Sequence, residues 1–238
     1  MALDLRPARS RFHTELDWLD SWHSFSFGPF HDPANTRHGL LVVNNDDVVR
    51  GGGGFATHPH ADMEIVTWVL QGSLEHRDSE GNEGIIYPGL AQRMSAGRGI
   101  RHSEINASAT ADLHLVQMWV LPDTRGLPPG YEQQDLTDRL DGGGLVTVAS
   151  GQGNDGAVTI HQREATLLVG WLREGERVSA PAAPRSHVFV AAGDTSLAAQ
   201  DGERVTLRTG DAVRGTDAGL LTLVAGDEGC EILVWLTA

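Results

Sequence analysis

Residues 58–82, HPHADMEIVTWVLQGSLEHRDSEGN, combine a paired-histidine motif with a short apolar run and a turn that contains glycine. The apolar run, EIVTWVLQG, is rich in β-branched and aromatic residues and ends at Gly72, as is typical of a strand followed by a turn. Similar runs recur along the chain: GLLVVNN, GIIYPG, LHLVQMWVLP, GLVTVAS, ATLLVGWL, SHVFVAAG, GLLTLVAG and CEILVWLTA. Helical periodicity is weak, and DLTDRL at residues 135–140 is the best short candidate. The pattern predicts an all-β sandwich or barrel.

The two halves of the chain share a frame of glycines. A shift of 121 positions superimposes the turn glycines of one half on those of the other: Gly72, Gly81 and Gly89 on Gly193, Gly202 and Gly210. A stretch rich in proline and glycine, residues 122–144, lies between the halves and is predicted to be a linker. We therefore expect a duplicated β unit, with an N-terminal arm and the first copy in residues 1–130 and the linker and second copy in residues 131–238.

The composition excludes several classes of function. All 18 basic side chains are arginine, so the chain lacks the lysine needed for Schiff-base chemistry or for a phosphate-binding P-loop. With 32 acidic residues the formal net charge is −14, which disfavours direct binding to nucleic acid or to anionic membranes. The single cysteine, Cys230, excludes an internal disulfide framework. No apolar run is long enough to span a bilayer and the N-terminus has no apolar export signal, so we expect a cytoplasmic protein.

Two short motifs in the first half point to a metal centre: His58-Pro59-His60 and His102-Ser103-Glu104. Residues i and i+2 of a strand face the same side, so each motif presents two ligands side by side. Two such strands facing each other would enclose three imidazoles and a carboxylate, and would leave coordination positions open on a transition ion. His76 and His114 also lie in strand-like runs of this half, where a partly buried histidine is the simpler interpretation.

The same region resembles a known family. Gly52, the histidine pair at residues 58–60, Glu64 and Gly72 follow the first sequence motif of the cupins, with one extra residue after Glu64. The sequence GNEGIIYPGLAQ resembles the second cupin motif, but Gln92 stands where most cupins have a histidine. These two departures, together with SWHSFSFGPFHDP, MSAGRGIRHSE and LHLVQMWVLP in that order, resemble the pirin family of the cupins.

The resemblance extends over nearly the whole chain and implies a bicupin, with two jelly-roll-like β-barrels joined by a linker and a metal ion in the first barrel. Carried over by position, the metal ligands are His58, His60, His102 and Glu104. Glu64 is the rival carboxylate, because it is the ligand position in many other cupins. Iron is the expected ion, and nickel, copper, manganese, cobalt and zinc remain open, since the ligands alone do not choose among them.

The resemblance also implies an activity. Proteins of this kind are credited with the oxygen-dependent opening of quercetin, a flavonol, so the expected partners are dioxygen and a small aromatic substrate, with Glu104 as the general base. The alternative is a metal-dependent regulator that acts through protein partners and not through nucleic acid. A single-chain bicupin can bury both of its sheets, so we expect a monomer.

The second copy is predicted to have lost the metal. At the shift of 121 positions, the four ligand positions of the first half correspond to residues that bind metal poorly: Ser179, Pro181, Leu223 and Ala225. The second half is therefore expected to be a degenerate cupin with a structural or partner-binding role.

Overall fold

The computed structural model describes residues 2–153 and 156–238, most of them in β-strands. The strands before the short helix are β1 (Ala2–Arg6), β2 (Phe12–Leu16), β3 (Leu19–His23), β4 (Leu41–Val49), β5 (Gly54–His60), β6 (Glu64–Gln71), β7 (Leu74–Asp78), β8 (Glu83–Ile86), β9 (Leu90–Ser95), β10 (Ile100–Asn106), β11 (Leu113–Val120) and β12 (Gly130–Asp135). A 3₁₀ turn (Ala8–Ser10) follows β1, and the helix α1 (Thr137–Asp141) follows β12. The later strands are β13 (Val146–Ser150), β14 (Val158–Thr159), β15 (Ala165–Leu172), β16 (Arg177–Ala180), β17 (Arg185–Ala198), β18 (Arg204–Arg208), β19 (Ala212–Thr216) and β20 (Leu221–Thr237). The all-β prediction is confirmed. Among the described residues, no helix has the length and apolar character needed to cross a membrane.

The described strands form three hydrogen-bonded sheets. A seven-stranded sheet, in the order β12-β9-β6-β11-β4-β3-β2, and a four-stranded sheet, in the order β5-β10-β7-β8, make up the first unit. A nine-stranded sheet makes up the second unit, with the path β1-β19-β17-β20-β15-β13-β14 and with β16 and β18 attached to β20 and β17. The hydrogen-bonded sheets do not close, which corrects the expectation of closed barrels. In the first unit the chain passes from β6 in one sheet to β7 in the other through Gly72, whose φ of +81° ends the first ladder.

The glycine frame that predicted a duplication is present in the backbone. The three glycines of the first unit have φ angles of +81°, +89° and +90°, and their counterparts at Gly193, Gly202 and Gly210 have +77°, +93° and +82°. These angles lie in the left-handed region, which residues with a Cβ rarely adopt. The same turns therefore occur at the same places in both units.

The terminal and connecting segments pair across the expected division of the chain. Residues 130–135, which we expected in the linker, form β12 and pair with β9 at the edge of the seven-stranded sheet. Residues 2–6 of the arm form β1 and pair with β19 of the second unit. Each unit thus receives an edge strand, and the division at residue 130 stays a prediction about folding units.

A shared core joins the two units. It includes Trp68 and Met118 from the seven-stranded sheet and Phe189 and Trp235 from the nine-stranded sheet, all at most 1% exposed. Burial of each such side chain stabilises the fold by about 1.5–3 kcal/mol. Since alternate residues of a strand face opposite sides, the packing of Met118 against the second unit leaves the neighbouring residues of β11 facing the interior of the first unit.

Candidate metal centre

The three predicted histidines come together between β5 and β10. The two strands are antiparallel, and His58 lies directly opposite His102. The ring centroids are 4.5 Å apart for His58 and His102, 4.8 Å for His58 and His60, and 5.0 Å for His60 and His102. One nitrogen from each ring lies within 4.8 Å of the other two, a spacing that could hold a metal ion.

The protonation of these rings suits metal binding. The Nδ1 atom of His58 is 2.8 Å from the carbonyl oxygen of Ala56, so Nδ1 donates and Nε2 carries the free lone pair. Burial and the neighbouring imidazoles lower the pKa of His60 to about 4 and that of His102 to about 2. The Nε2 atom of His102 is buried and has no hydrogen-bond partner among the described residues. A buried nitrogen without a partner, beside the imidazoles of His58 and His60, fits a divalent transition ion.

Glu104 lies beside this cluster, on the far side of His102. A register shift separates the two residues, so that Glu104 pairs with Phe55 of β5. Its carboxylate is 2% exposed, accepts a hydrogen bond of 2.6 Å from Gln117 Nε2 and lies 3.4 Å from the Thr67 hydroxyl. Burial raises the pKa of Glu104 to about 7, although both hydrogen bonds act in the opposite direction. This carboxyl group can therefore exchange a proton near neutral pH.

His76 lies in the same cluster of candidate ligands, a position that the sequence analysis did not assign to it. It lies opposite Glu104 in the β7–β10 ladder, and Asp78 lies opposite His102. With His102 and Glu104 it forms a second group of ligand atoms that lie within 4.8 Å of one another. Its Nδ1 atom is 3.5 Å from Nδ1 of His102, and its Nε2 atom is 3.3 Å from a carboxylate oxygen of Asp78. By contrast, His114 lies outside both groups.

A row of polar side chains crosses the inner face of the seven-stranded sheet, opposite the ligands. Its members lie in register on successive strands: His23, Asn45, Gln117, Thr67, Gln92 and Gln133. Gln117 and Thr67 hold Glu104, and Gln92 Nε2 is 3.3 Å from Nδ1 of His76. Two aromatic rings flank the row, since Trp119 contacts His60 and Tyr131 stacks on His76 at 4.7 Å. The sheet thus contacts the candidate ligands from the side opposite β5 and β10.

Glu64, the rival carboxylate, is engaged elsewhere. It accepts hydrogen bonds of 2.7 Å from the Ser95 hydroxyl and 3.0 Å from the backbone N–H of His161. It belongs to neither group of ligand atoms among the described residues. Glu64 therefore connects the first unit to the segment before β15.

The equivalent interior of the second unit is apolar. The β16–β20 ladder pairs Val178 with Leu223, as the first unit pairs His58 with His102. The counterparts of His58 and His60 are therefore Val178 and Ala180, one position before the predicted Ser179 and Pro181, because the shift on this strand is 120 rather than 121. The residues at the positions of the ligands and of His76 and Gln92 all lie in one buried cluster: Val178, Ala180, Leu223, Ala225, Leu197 and Val213.

Comparison with known proteins gives a consistent result. The pirin family model matches residues 5–120, and the model of the quercetinase C-terminal cupin domain matches residues 147–235. A Mycobacterium tuberculosis protein, named provisionally as a quercetin 2,3-dioxygenase, is 55% identical over 98% of this chain and 94% of its own length. The quercetin 2,3-dioxygenase of Escherichia coli K12 is 46% identical over 76% of this chain and 77% of its own. The crystal structure of the bacterial pirin YhhW from Escherichia coli in complex with nickel(II) is 39% identical, covers 99% of both chains and has a TM-score of 0.89.

Proposed function

The chain belongs to the pirin family and has its two cupin domains, and on that premise we propose that it is a metal-dependent dioxygenase that opens flavonols such as quercetin. The observation that carries the proposal is the pairing of three clustered imidazoles with a buried carboxyl group of pKa about 7. The names of the relatives supply the reaction class and the substrate.

The proposed ligands are His58, His60, His102 and Glu104. Iron is our expected ion, and the nickel complex of the Escherichia coli pirin keeps nickel open. When bound, such an ion supplies Lewis-acid stabilisation of a negatively charged oxygen and the electronic means to react with dioxygen. The groups that contact the proposed ligands orient them, because a hydrogen bond to the second ring nitrogen of a histidine ligand holds the ring in one tautomer. For His102 that group is His76, which Asp78 orients in turn.

Glu104 is proposed to serve as ligand and general base in turn. A base works best when its pKa lies near the working pH; burial raises the pKa of Glu104, whereas a bound cation would lower it. The flavonol 3-hydroxyl would lose its proton to a carboxylate oxygen, while Gln117 holds the other oxygen through its 2.6 Å hydrogen bond. Gln117 is itself positioned, since its Oε1 atom accepts a hydrogen bond of 3.1 Å from the Trp119 indole.

The test uses protein stripped with a chelator and reloaded with ferrous iron or nickel, and it measures dioxygen uptake and flavonol absorbance beside metal content. We expect one ion per chain, and loss of that ion when His58 and His60 are both replaced by alanine. The Glu104→Gln variant keeps an oxygen that can bind the ion but lacks the proton acceptor. Its metal-loaded form should be slower by about 10²–10⁴-fold.

Glu64→Gln is the matched control, because Glu64 is equally buried in the same unit but outside both groups of ligand atoms. It should keep its metal and its rate. A metal-loaded wild type that consumes no oxygen with any flavonol would overturn the enzyme assignment in favour of the regulatory alternative. A fully active, metal-loaded Glu104→Gln protein would remove only the proposed base.

Three further properties stay predictions: a second cupin without metal, a monomeric chain and a cytoplasmic location. The apolar cluster at the equivalent positions supports the first of them. Anomalous scattering from a metal-loaded crystal tests it, since a transition-metal peak near Val178 or Ala180 would contradict it.

A further inference from the structure

A small, partly enclosed cavity lies where the N-terminal arm meets the second unit, and none of the three clustered histidines lines it. Its volume is about 20 Å³, and its lining includes Arg11, Ser24 and Asn35 from the arm and His187 and Arg214 from the second unit. A space of this size holds one water-sized occupant. We propose that the cavity binds a single monatomic anion, of which chloride is the physiological example.

Three of the residues that line the cavity carry buried nitrogen atoms without partners among the described residues. Arg11 gives one nitrogen to Asp46 at 3.0 Å, but its Nε and Nη1 atoms have no partner among the described residues. Arg214 gives one nitrogen to the carbonyl oxygen of Ser24 at 2.7 Å, and its Nε atom is likewise unpartnered. Both ring nitrogens of His187 are unpartnered as well, and the side chain is 2% exposed. Leaving buried donors unpaired costs about 1–3 kcal/mol each, so an acceptor in the cavity is favoured.

The charge of the lining has the sign that an anion requires. Arg11 and Arg214 are both 6% exposed and stack on aromatic rings, which provide no full negative charge. Asp46, the acidic partner of Arg11, is shared with His114 at 2.6 Å. Burial lowers the pKa of Arg214 to about 10, as expected for a cation whose charge is incompletely compensated. In a chain of net charge −14, a buried excess of positive charge needs a local explanation.

The remaining groups around the cavity limit what can bind. Arg6 also lines it but is half-exposed and pairs with the exposed Asp4 at 2.8 Å. Asn35 Oδ1 is an unpartnered acceptor, and because an acceptor disfavours an anion beside it, the anion is expected nearer the arginines and His187. Burial keeps the pKa of His187 well below its ordinary value, so the neutral ring can donate one N–H. A polyatomic anion such as sulfate or phosphate needs more than one water-sized space, so among anions the volume favours a monatomic one.

Two measurements test the proposal. Crystals grown with bromide in place of chloride should show an anomalous peak between Arg11, Arg214 and His187. In solution, the midpoint of thermal unfolding should be higher in chloride than in gluconate at equal ionic strength. At a chloride concentration ten times the dissociation constant, the midpoint of unfolding should rise by about 3–6 °C. Arg214→Met should abolish both the peak and the chloride dependence, whereas Arg204→Met, which removes an exposed arginine of the same unit, should keep both.

The outcomes are decisive in each case. A wild-type crystal with ordered water and no bromide peak overturns the proposal. A peak without any chloride dependence of unfolding means binding at crystal concentration only, which also overturns it. If Arg214→Met does not fold, the bromide peak and chloride dependence of the wild type and of Arg204→Met still decide the matter.

Discussion

Asp47 is the residue whose replacement should change the pH dependence of stability most clearly. It follows Asp46 on β4, and because alternate residues face opposite sides, the two carboxylates have different surroundings. Asp47 is 3% exposed, accepts a hydrogen bond from the Ser21 hydroxyl and has a pKa raised to about 7, chiefly by burial. For Asp46, burial alone would raise the pKa, but His114 and Arg11 lower it.

The sign and size of the change in stability follow from the pKa of Asp47 in the folded and in the unfolded protein. In the unfolded chain an aspartate has a pKa of about 3.9, so the raised pKa of Asp47 favours the folded protein at low pH. That contribution is fully present below about pH 3.9 and is lost as the pH rises to about 7. A difference of about three pKa units corresponds to about 4 kcal/mol above pH 7. Asp47→Asn removes the ionisation and should therefore stabilise the protein at pH 8 by up to about 4 kcal/mol, and by about 1–2 kcal/mol at pH 5.

The assay is urea unfolding of chelator-treated protein between pH 4 and pH 8, followed by tryptophan fluorescence. Asp46→Asn is the matched control with the opposite sign. Since the pKa of Asp46 is lowered, its stabilising contribution is present above the unfolded pKa and is lost as the pH falls. Asp46→Asn should therefore be less stable than the wild type throughout pH 4 to pH 8, with a deficit that changes little over this range because the loss lies below the unfolded pKa of about 3.9. A free-energy difference between Asp47→Asn and the wild type that stays constant from pH 5 to pH 8 would refute the reasoning.

Two further predictions concern the turn frame and the outer part of the metal centre. Gly202→Ala should lower the free energy of unfolding by about 1–2 kcal/mol because of its positive φ alone. Gly193→Ala should lower it by several kcal/mol, since the new Cβ also collides with the carbonyl oxygen of Gly229. Urea unfolding measures both losses, and equal losses would contradict the role given to the collision. His76→Gln should weaken metal binding by about 10–100-fold, measured by competition with a chelator, because His76 contacts His102. His114→Gln should leave the metal affinity unchanged. Equal affinities in the two variants would show that His76 does not position His102.

Local rules explain why part of the metal centre could be predicted from the sequence. The parity of a strand places His58 beside His60, and a left-handed turn needs glycine, so both the histidine pair and the repeated frame were predictable. Parity could not choose between Glu64 and Glu104, because each is an even number of residues from a histidine. Sheet membership separates them, since Glu64 begins β6 in the seven-stranded sheet and Glu104 lies on β10 beside the histidines.

The role of His76 depends on a contact that no local rule contains. It meets Glu104 because β7 pairs with β10 in one particular register, which is set by packing far along the chain. The one-residue error on β16 has the same origin. The shift of 121 was fixed by glycines in turns, and the ladder with β20 then places Val178 rather than Ser179 opposite Leu223. Turns fix the frame of a repeat, but pairing fixes which side chains face inward.

The contrast between the two interiors explains how the first unit tolerates its polar centre. Buried amides, carboxyl groups and imidazoles contribute less to stability than apolar side chains of similar size, because their desolvation offsets their hydrogen bonds. The first unit has such a polar row in its interior, while the second has valine, leucine and alanine at the matching positions. The outer face of the seven-stranded sheet packs on the second unit through the core that includes Trp68 and Trp235. The apolar interior stabilises the second unit itself, and the separate shared core stabilises the first unit against it, which offsets the cost of a buried carboxyl group beside the histidines.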